Sequence, residues 1–168
     1  MLKNPHKYVG NDVIKVDAQA KTTGEAAYPN DIYMDDMLYA RVKRATHPHA
    51  YLKKIDITKA EKLDDVVTVI TAQDYPDLNN FGLIIKDQPV LISIGEKMRY
   101  MGDALAVVVA KTRDAARKGV SLIETEVEKL EVLSDPFRSM EKDAPSVHEG
   151  ENILDNNNLD RNILTRHI

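Results

Sequence analysis

Apolar residues return at every second position from Met37 to Ala45, with Leu38, Ala40 and Val42 on one side and Tyr39, Arg41 and Lys43 on the other. That period predicts a strand with its apolar face on a core. Thr46-His47-Pro48-His49-Ala50 interrupts it, and alternation resumes from Tyr51 to Ile57, where Ile55 and Ile57 oppose Asp56. Two strands joined by a short connection fit both runs. Thr58, with Glu61 three residues on, makes a capping pattern and predicts a brief helix through Leu63. Val66-Val67-Thr68-Val69-Ile70 is β-branched throughout, so it predicts a strand covered on both faces.

The same reading continues from Ala104 to Ala110, an unbroken apolar run that predicts a buried strand leading straight into a helix. Thr112 suits the helix N-cap, Asp114 complements the positive end, and Ala116, Val120 and Ile123 lie at helical spacing. Gly119 costs about 1 kcal/mol against alanine inside a helix, so it marks close packing or an early helix end. Ile123 to Glu128 alternates again, with Glu124, Glu126 and Glu128 on a solvent face. Strand, helix and strand in that order, joined by a right-handed crossover, predict a small mixed sheet with a helix on one face. The fold class is α+β: a small mixed β-sheet with packed helices, preceded by an extended N-terminal arm.

Elsewhere the periods fail. Residues 1–30 read as the arm, 31–149 as the domain, and 150–168, with Asn156-Asn157-Asn158, as linker. Gln73 to Ile94 contains Tyr75-Pro76, Asn79-Asn80, Phe81-Gly82 and Gln88-Pro89, and predicts a long irregular connection. Connections of that length inside a compact domain often meet a ligand or a neighbouring domain, so a partner-facing role is expected here. Leu130 to Pro145 is irregular as well.

Composition narrows the chemistry. The net charge of −4 argues against a duplex nucleic-acid binder, which needs a basic footprint on phosphates. The absence of cysteine excludes disulfides, iron–sulfur ligation, thiolate zinc and cysteine nucleophiles within this chain. No window approaches the roughly 20 apolar residues of a membrane span, and no secretory signal opens the sequence, so a cytoplasmic location without membrane partners is expected.

Candidate sites each meet a simpler explanation. His47 and His49 could offer two imidazoles to a metal, but a site needs three or four ligands, and Pro48 between them reads as a rigid turn. Tyr100-Met101-Gly102-Asp103 precedes a strand and so is no phosphate cradle, which would follow a strand and open a helix. Gly102 there permits a turn or the close approach of another backbone. Asp103 has no histidine or serine motif beside it with which to form a catalytic pair. The acidic pairs Asp35-Asp36 and Asp64-Asp65 sit at predicted turns, and no GxSxG, HExxH or Walker-type motif occurs.

Several segments, taken in order, carry a resemblance. They are Val16-Asp17-Ala18, Lys21 to Tyr28, Asp31-Ile32, Met37 to Ala40, Arg44 to Ala50, Val66 to Thr71 with Asp74, Arg99 to Ala110, Ala115-Ala116, Pro145, Val147 and His148. Their order and spacing resemble the opening of molybdenum hydroxylase large subunits of the xanthine dehydrogenase and aldehyde oxidase family, and match its a/b hammerhead domain. The resemblance implies a non-catalytic N-terminal domain that packs against the molybdopterin-binding domains of the same subunit. In that family those domains supply the catalytic glutamate, and iron–sulfur clusters and FAD lie on other domains or subunits. The family's glycine-rich cofactor loop and C-terminal acidic motif have no counterpart here, so no catalytic, cofactor-binding or metal residue is carried over. Asn162 to Ile168 resembles the start of a strand entering the next domain. The candidate interdomain contact is Tyr100, Met101, Gly102 and Asp103, and an exposed apolar patch is expected from this turn and the irregular Gln73 to Ile94 segment. The alternative is a free-standing hammerhead module that serves assembly without enzymatic activity, since fold does not fix function.

Overall fold

The computed structural model of the chain describes residues 9–10, 12–82 and 87–148. Expectations for the linker over 150–168 and the strand at Asn162 to Ile168 therefore lie outside the described residues. The chain divides into two compact units, Met1–Met37 and Leu38–Ile168.

In the first unit the expected extended arm is interrupted by a helix, α1 (Ala18–Thr23). Three local features account for it. Asp17 pairs with Lys21 across one turn at 2.5 Å, the hydroxyls of Thr22 and Thr23 donate back to carbonyls of the preceding turn, and Gly24 at φ 80° ends the helix in the left-handed region. Pro29–Asp31 follows as a 3-10 turn, in which the Asp31 carboxylate accepts from the Tyr28 N–H.

The second unit runs β1 (Tyr39–Arg44), β2 (Ala50–Asp56), α2 (Thr58–Glu61), β3 (Val66–Thr71), β4 (Asn80–Phe81), β5 (Gln88–Pro89), β6 (Lys97–Met98), β7 (Ala104–Ala110), α3 (Arg113–Leu122), β8 (Glu124–Lys129) and α4 (Pro136–Ser139). The strands form two three-stranded sheets, β1-β7-β3 and β6-β2-β8, with β4 and β5 as a separate pair. Every ladder among the described residues is antiparallel. The class is α+β, but the crossover from β7 through α3 makes no parallel pair. Both edges of β7 are occupied, by β1 and β3, so β8 takes the open edge of β2 in the other sheet.

Helix α3 packs on the face of the first sheet that carries Ala106 and Val108 of β7 and Val69 of β3, which form one core cluster with Ala60 and Ile123. Gly119 allows the approach: a Cβ there would stand 2.7 Å from Val108 Cγ1 and 3.4 Å from Val66 Cγ2. The Thr112 hydroxyl caps α3 by accepting from the Ala115 N–H, as its position predicts. Helix α2 starts differently from the expected capping box. Thr58 is its first residue, and the Asp56 carboxylate accepts the Thr58 N–H instead.

Strand β1 reverses the expected burial. Opposite Ala110, Val108 and Ala106 stand Tyr39, Arg41 and Lys43, so the polar side of β1 shares the face that α3 covers. Lys43 Nζ donates to the carbonyl of Ile123 at 2.8 Å and of Val120 at 3.5 Å, placing a cation at the carbonyl end of the helix. The Arg113 guanidinium lies 5.4 Å from the Tyr39 ring centre. Ala40 and Val42 point to the other face, where Ala40 is exposed and Val42 half-buried; Leu38 is exposed as well. On that face β3 also lacks its expected second cover, with Thr68 exposed and Ile70 half-buried.

The second sheet has one dry side and one charged side. Ala50, Leu52 and Met98 join Ala45, Ile92 and Leu105 in a second core cluster, and Ile55 packs against both clusters. A register shift between Leu52 and Lys54 lets Lys53 and Lys54 both face outward before Ile55 returns to the core. Those lysines and Lys59 pair with Glu128, Glu126 and Glu124, the solvent face expected of β8. The pairs are exposed and each adds little to stability.

Candidate functional site

The turn between β6 and β7 is held from several directions. The Asp103 carboxylate accepts from the N–H of Arg99 at 2.6 Å and of Tyr100 at 3.3 Å. The Gly102 N–H donates to the Ala45 carbonyl, the Ala45 N–H donates to the Asp103 carbonyl, and Arg44 Nη1 reaches the Gly102 carbonyl at 2.7 Å. Gly102 sits at φ 114°, where a side chain would be strained, and a Cβ would lie 3.2 Å from the Tyr100 ring. The outcome is a fixed turn that holds Tyr100 57% and Met101 64% exposed. Asp103 thus shapes the turn, and Tyr100 and Met101 are what it presents.

The irregular segment before β6 is anchored beside this turn. Asn79, itself buried, donates to the Leu91 carbonyl at 2.7 Å and accepts the Leu91 N–H at 2.9 Å, and the next residue, Ile92, donates to the carbonyl of Ala104. Leu78, Phe81 and Val90, which flank this clamp, are exposed, Leu78 at 78%. Exposed apolar side chains therefore stand on both segments among the described residues. Asn79→Ala should cost about 1–3 kcal/mol, because two buried backbone groups of Leu91 lose their partners. Thermal denaturation reads it, and an unchanged midpoint would show the clamp to be dispensable.

On the neighbouring strand, burial and then the charge of Arg99 hold Lys97 below the ordinary lysine range; its ammonium donates to the Ser146 carbonyl. His47 and His49 serve the connection between β1 and β2. His49 is buried, its Nδ1 bonds the Glu131 carbonyl, and its own carbonyl accepts the Leu130 N–H. His49 thus ties the chain after β8 to β2. Its Nε2 has no partner among the described residues.

A cleft of about 130 Å³ opens between the two sheets, lined by Ile55, Ile57, Ile92, Ile94 and Leu105 with Thr71, Gln73 and Ser93 at hand. Ligand pockets span roughly 300–1,000 Å³ with convergent polar groups, so this cleft suits no cofactor-sized molecule. Among the described residues no group of three or more His, Asp or Glu could hold a metal ion.

Residues 23–131, which hold both sheets and the turn, match the family described as "Aldehyde oxidase and xanthine dehydrogenase, a/b hammerhead domain". The chain belongs to this family. The hammerhead chain is 40% identical over 141 residues to a probable xanthine dehydrogenase subunit of Bacillus subtilis (strain 168), covering 84% of this chain and 19% of that relative. It is 39% identical over 148 residues to the "Nicotinate dehydrogenase large molybdopterin subunit" of Eubacterium barkeri, covering 88% of this chain and 34% of that one. Its fold matches CO dehydrogenase from Oligotropha carboxidovorans with a TM-score of 0.72 at 37% identity, over 81% of this chain and 17% of that one. Aldehyde oxidoreductase from Desulfovibrio gigas matches with a TM-score of 0.73 at 26% identity, over 80% and 16%. The hammerhead chain thus spans a fifth to a third of the length of these curated relatives. No helix among its described residues is long and apolar enough to cross a membrane.

Sequence reasoning found the turn through Gly102 and Asp103 but missed the roles of Arg44, Ala45 and Asn79. Their bonds run to residues far along the chain, and no local pattern announces such partners.

Proposed function

We propose that this hammerhead chain is the non-catalytic N-terminal domain of a molybdopterin-dependent hydroxylase large subunit. The turn Tyr100-Met101-Gly102-Asp103 is then its contact with the cofactor-binding domains. One observation carries the reading: a turn pinned by Asp103, Arg44 and Ala45 spends its rigidity on exposing a tyrosine and a methionine. Exposed apolar side chains on a pinned backbone suit an interface, because little backbone entropy remains to be lost on docking. The cleft between the sheets is too small and too aliphatic to fit a molybdopterin group. That cofactor would be held by the rest of the subunit, with iron–sulfur clusters and FAD on further domains or subunits. The location is proposed as cytoplasmic.

The test is an immunoblot of source-cell lysate against this chain, with molybdenum assayed across the same size fractions. A band far above 18.9 kDa that co-elutes with molybdenum is expected; a band at 18.9 kDa away from molybdenum overturns the reading. The surface itself is tested by Tyr100→Ser with Met101→Asp. Because both side chains are exposed, the isolated chain should keep its stability within about 0.5 kcal/mol. The large subunit carrying the same pair should lose molybdenum co-elution. Equal molybdenum in variant and parent would remove the turn from the interface.

A further inference from the structure

The face of the first sheet turned away from α3 carries two rows of side chains, Ala40–Val109–Thr68 and Val42–Val107–Ile70, set side by side by the register of β1, β7 and β3. None of the six is charged. If this face were meant for water, Arg41 and Lys43 would lie on it, since alternating strands put charge on the wet side. They lie instead on the α3 side, as partners of Val108 and Ala106. Strand β3 is β-branched on both sides and β7 is apolar on both, the pattern of strands with two covers, and α3 supplies one. Three strands thus point independently to a missing second layer on the same face.

We propose that this outer face of the β1-β7-β3 sheet is a second interface, covered by an uncharged aliphatic surface from the rest of the large subunit. The assignment rests on the reading above. Its occupant follows from lengths and sizes. About four-fifths of the Bacillus subtilis relative and of the CO dehydrogenase chain lies outside the part matched here, so ample chain exists to supply the layer. A second copy of this chain fits poorly, because a stable interface between separate molecules uses roughly 20–30 residues a side. Two rows of three suffice only when the partner is tethered or already docked, as it is within one subunit. The face is separate from the Tyr100 turn, so the domain would be gripped at two places.

The absence of cysteine makes the test direct. Thr68→Cys and Ala40→Cys place one thiol each at exposed positions in the Ala40–Val109–Thr68 row, and Glu126→Cys on the charged face of the other sheet serves as reference. Maleimide labelling is followed at the peptide level in the 168-residue chain and in the molybdenum-containing large subunit, after melts confirm that each variant folds as the parent does. Both test thiols should react quickly in the chain alone and about tenfold or more slowly in the large subunit, because labelling there requires local opening. Equal rates in the two settings, with Glu126→Cys also reactive in both, overturn the covered face while leaving the large-subunit reading intact. Slow labelling in the chain alone, at concentrations where it sediments as a dimer, overturns the proposal in favour of a second copy. Detection of the chain only at its own size overturns the reading first and the tethered layer with it.

Discussion

Leu52→Ala lowers the stability of the chain by about 4–5 kcal/mol, the upper part of the range for a leucine truncated in a core. Leu52 is fully buried among Ala45, Ala50, Ile92, Met98 and Leu105. Two of those neighbours are alanines on pinned backbone, with no side-chain length to swing into the gap. The backbone cannot follow either. The Leu52 N–H donates to the Glu96 carbonyl at 3.0 Å, and the Leu52 carbonyl accepts the Gly95 N–H at 2.7 Å, so the strand is held from the side as well as by its ladder. A cavity that cannot collapse keeps its full cost. A domain of this size has about 5–15 kcal/mol in all, so the loss is a large share. Urea denaturation should show a lower midpoint with an unchanged slope. A loss below about 1 kcal/mol would mean that the two sheets slide together over the hole.

Gly119→Val should cost about 3 kcal/mol, and Gly119→Ala should destabilise too, against the usual trend. In an open helix position alanine gains about 1 kcal/mol over glycine. Here the added Cβ would meet Val108 Cγ1 at 2.7 Å. Val108 is fully buried on the central strand, paired on both sides, and cannot turn away cheaply. Overpacking of this kind costs about 1–3 kcal/mol and outweighs the propensity gain. Val108→Ala combined with Gly119→Ala should recover part of the loss, and thermal melts of the single and double variants measure that coupling. A Gly119→Ala variant that melts above the parent would show that α3 stands farther from the sheet.

How legible these features were depended on how local their causes are. Strand β7, the Thr112 cap and the glutamate face of β8 follow from neighbouring residues, and they stand where the pattern puts them. The close packing marked by Gly119 was legible because glycine in a helix interior needs a reason. The partition into two sheets was not. Alternation says which side of a strand is apolar but not which strand lies beside it, and β8 looks the same whether it pairs with β7 or with β2. The reversal of β1 escaped for a related reason: the value of Lys43 lies in helix-end carbonyls some eighty residues away. The turn at Tyr100 to Asp103 was visible as a turn, and it presents two exposed apolar side chains. The alanine, arginine and asparagine that fix it and its neighbouring segment are common residue types in unremarkable sequence, and only their distant bonds set them apart.

The position of β7 between β1 and β3 also sets an order of events during synthesis. Strand β3 leaves the ribosome as six residues rich in β-branched side chains, yet its only partner in the sheet comes about 40 residues later, roughly 2–8 s at ordinary elongation rates. Strands β1 and β3 do not pair with each other, so neither can shelter the other in that interval. A nascent chain stalled before Ala104 would display both as unpaired edges, the kind of segment that associates with its like. Translation to Ala110 is therefore the step at which β1 and β3 gain their shared partner, while β2 still waits for β8.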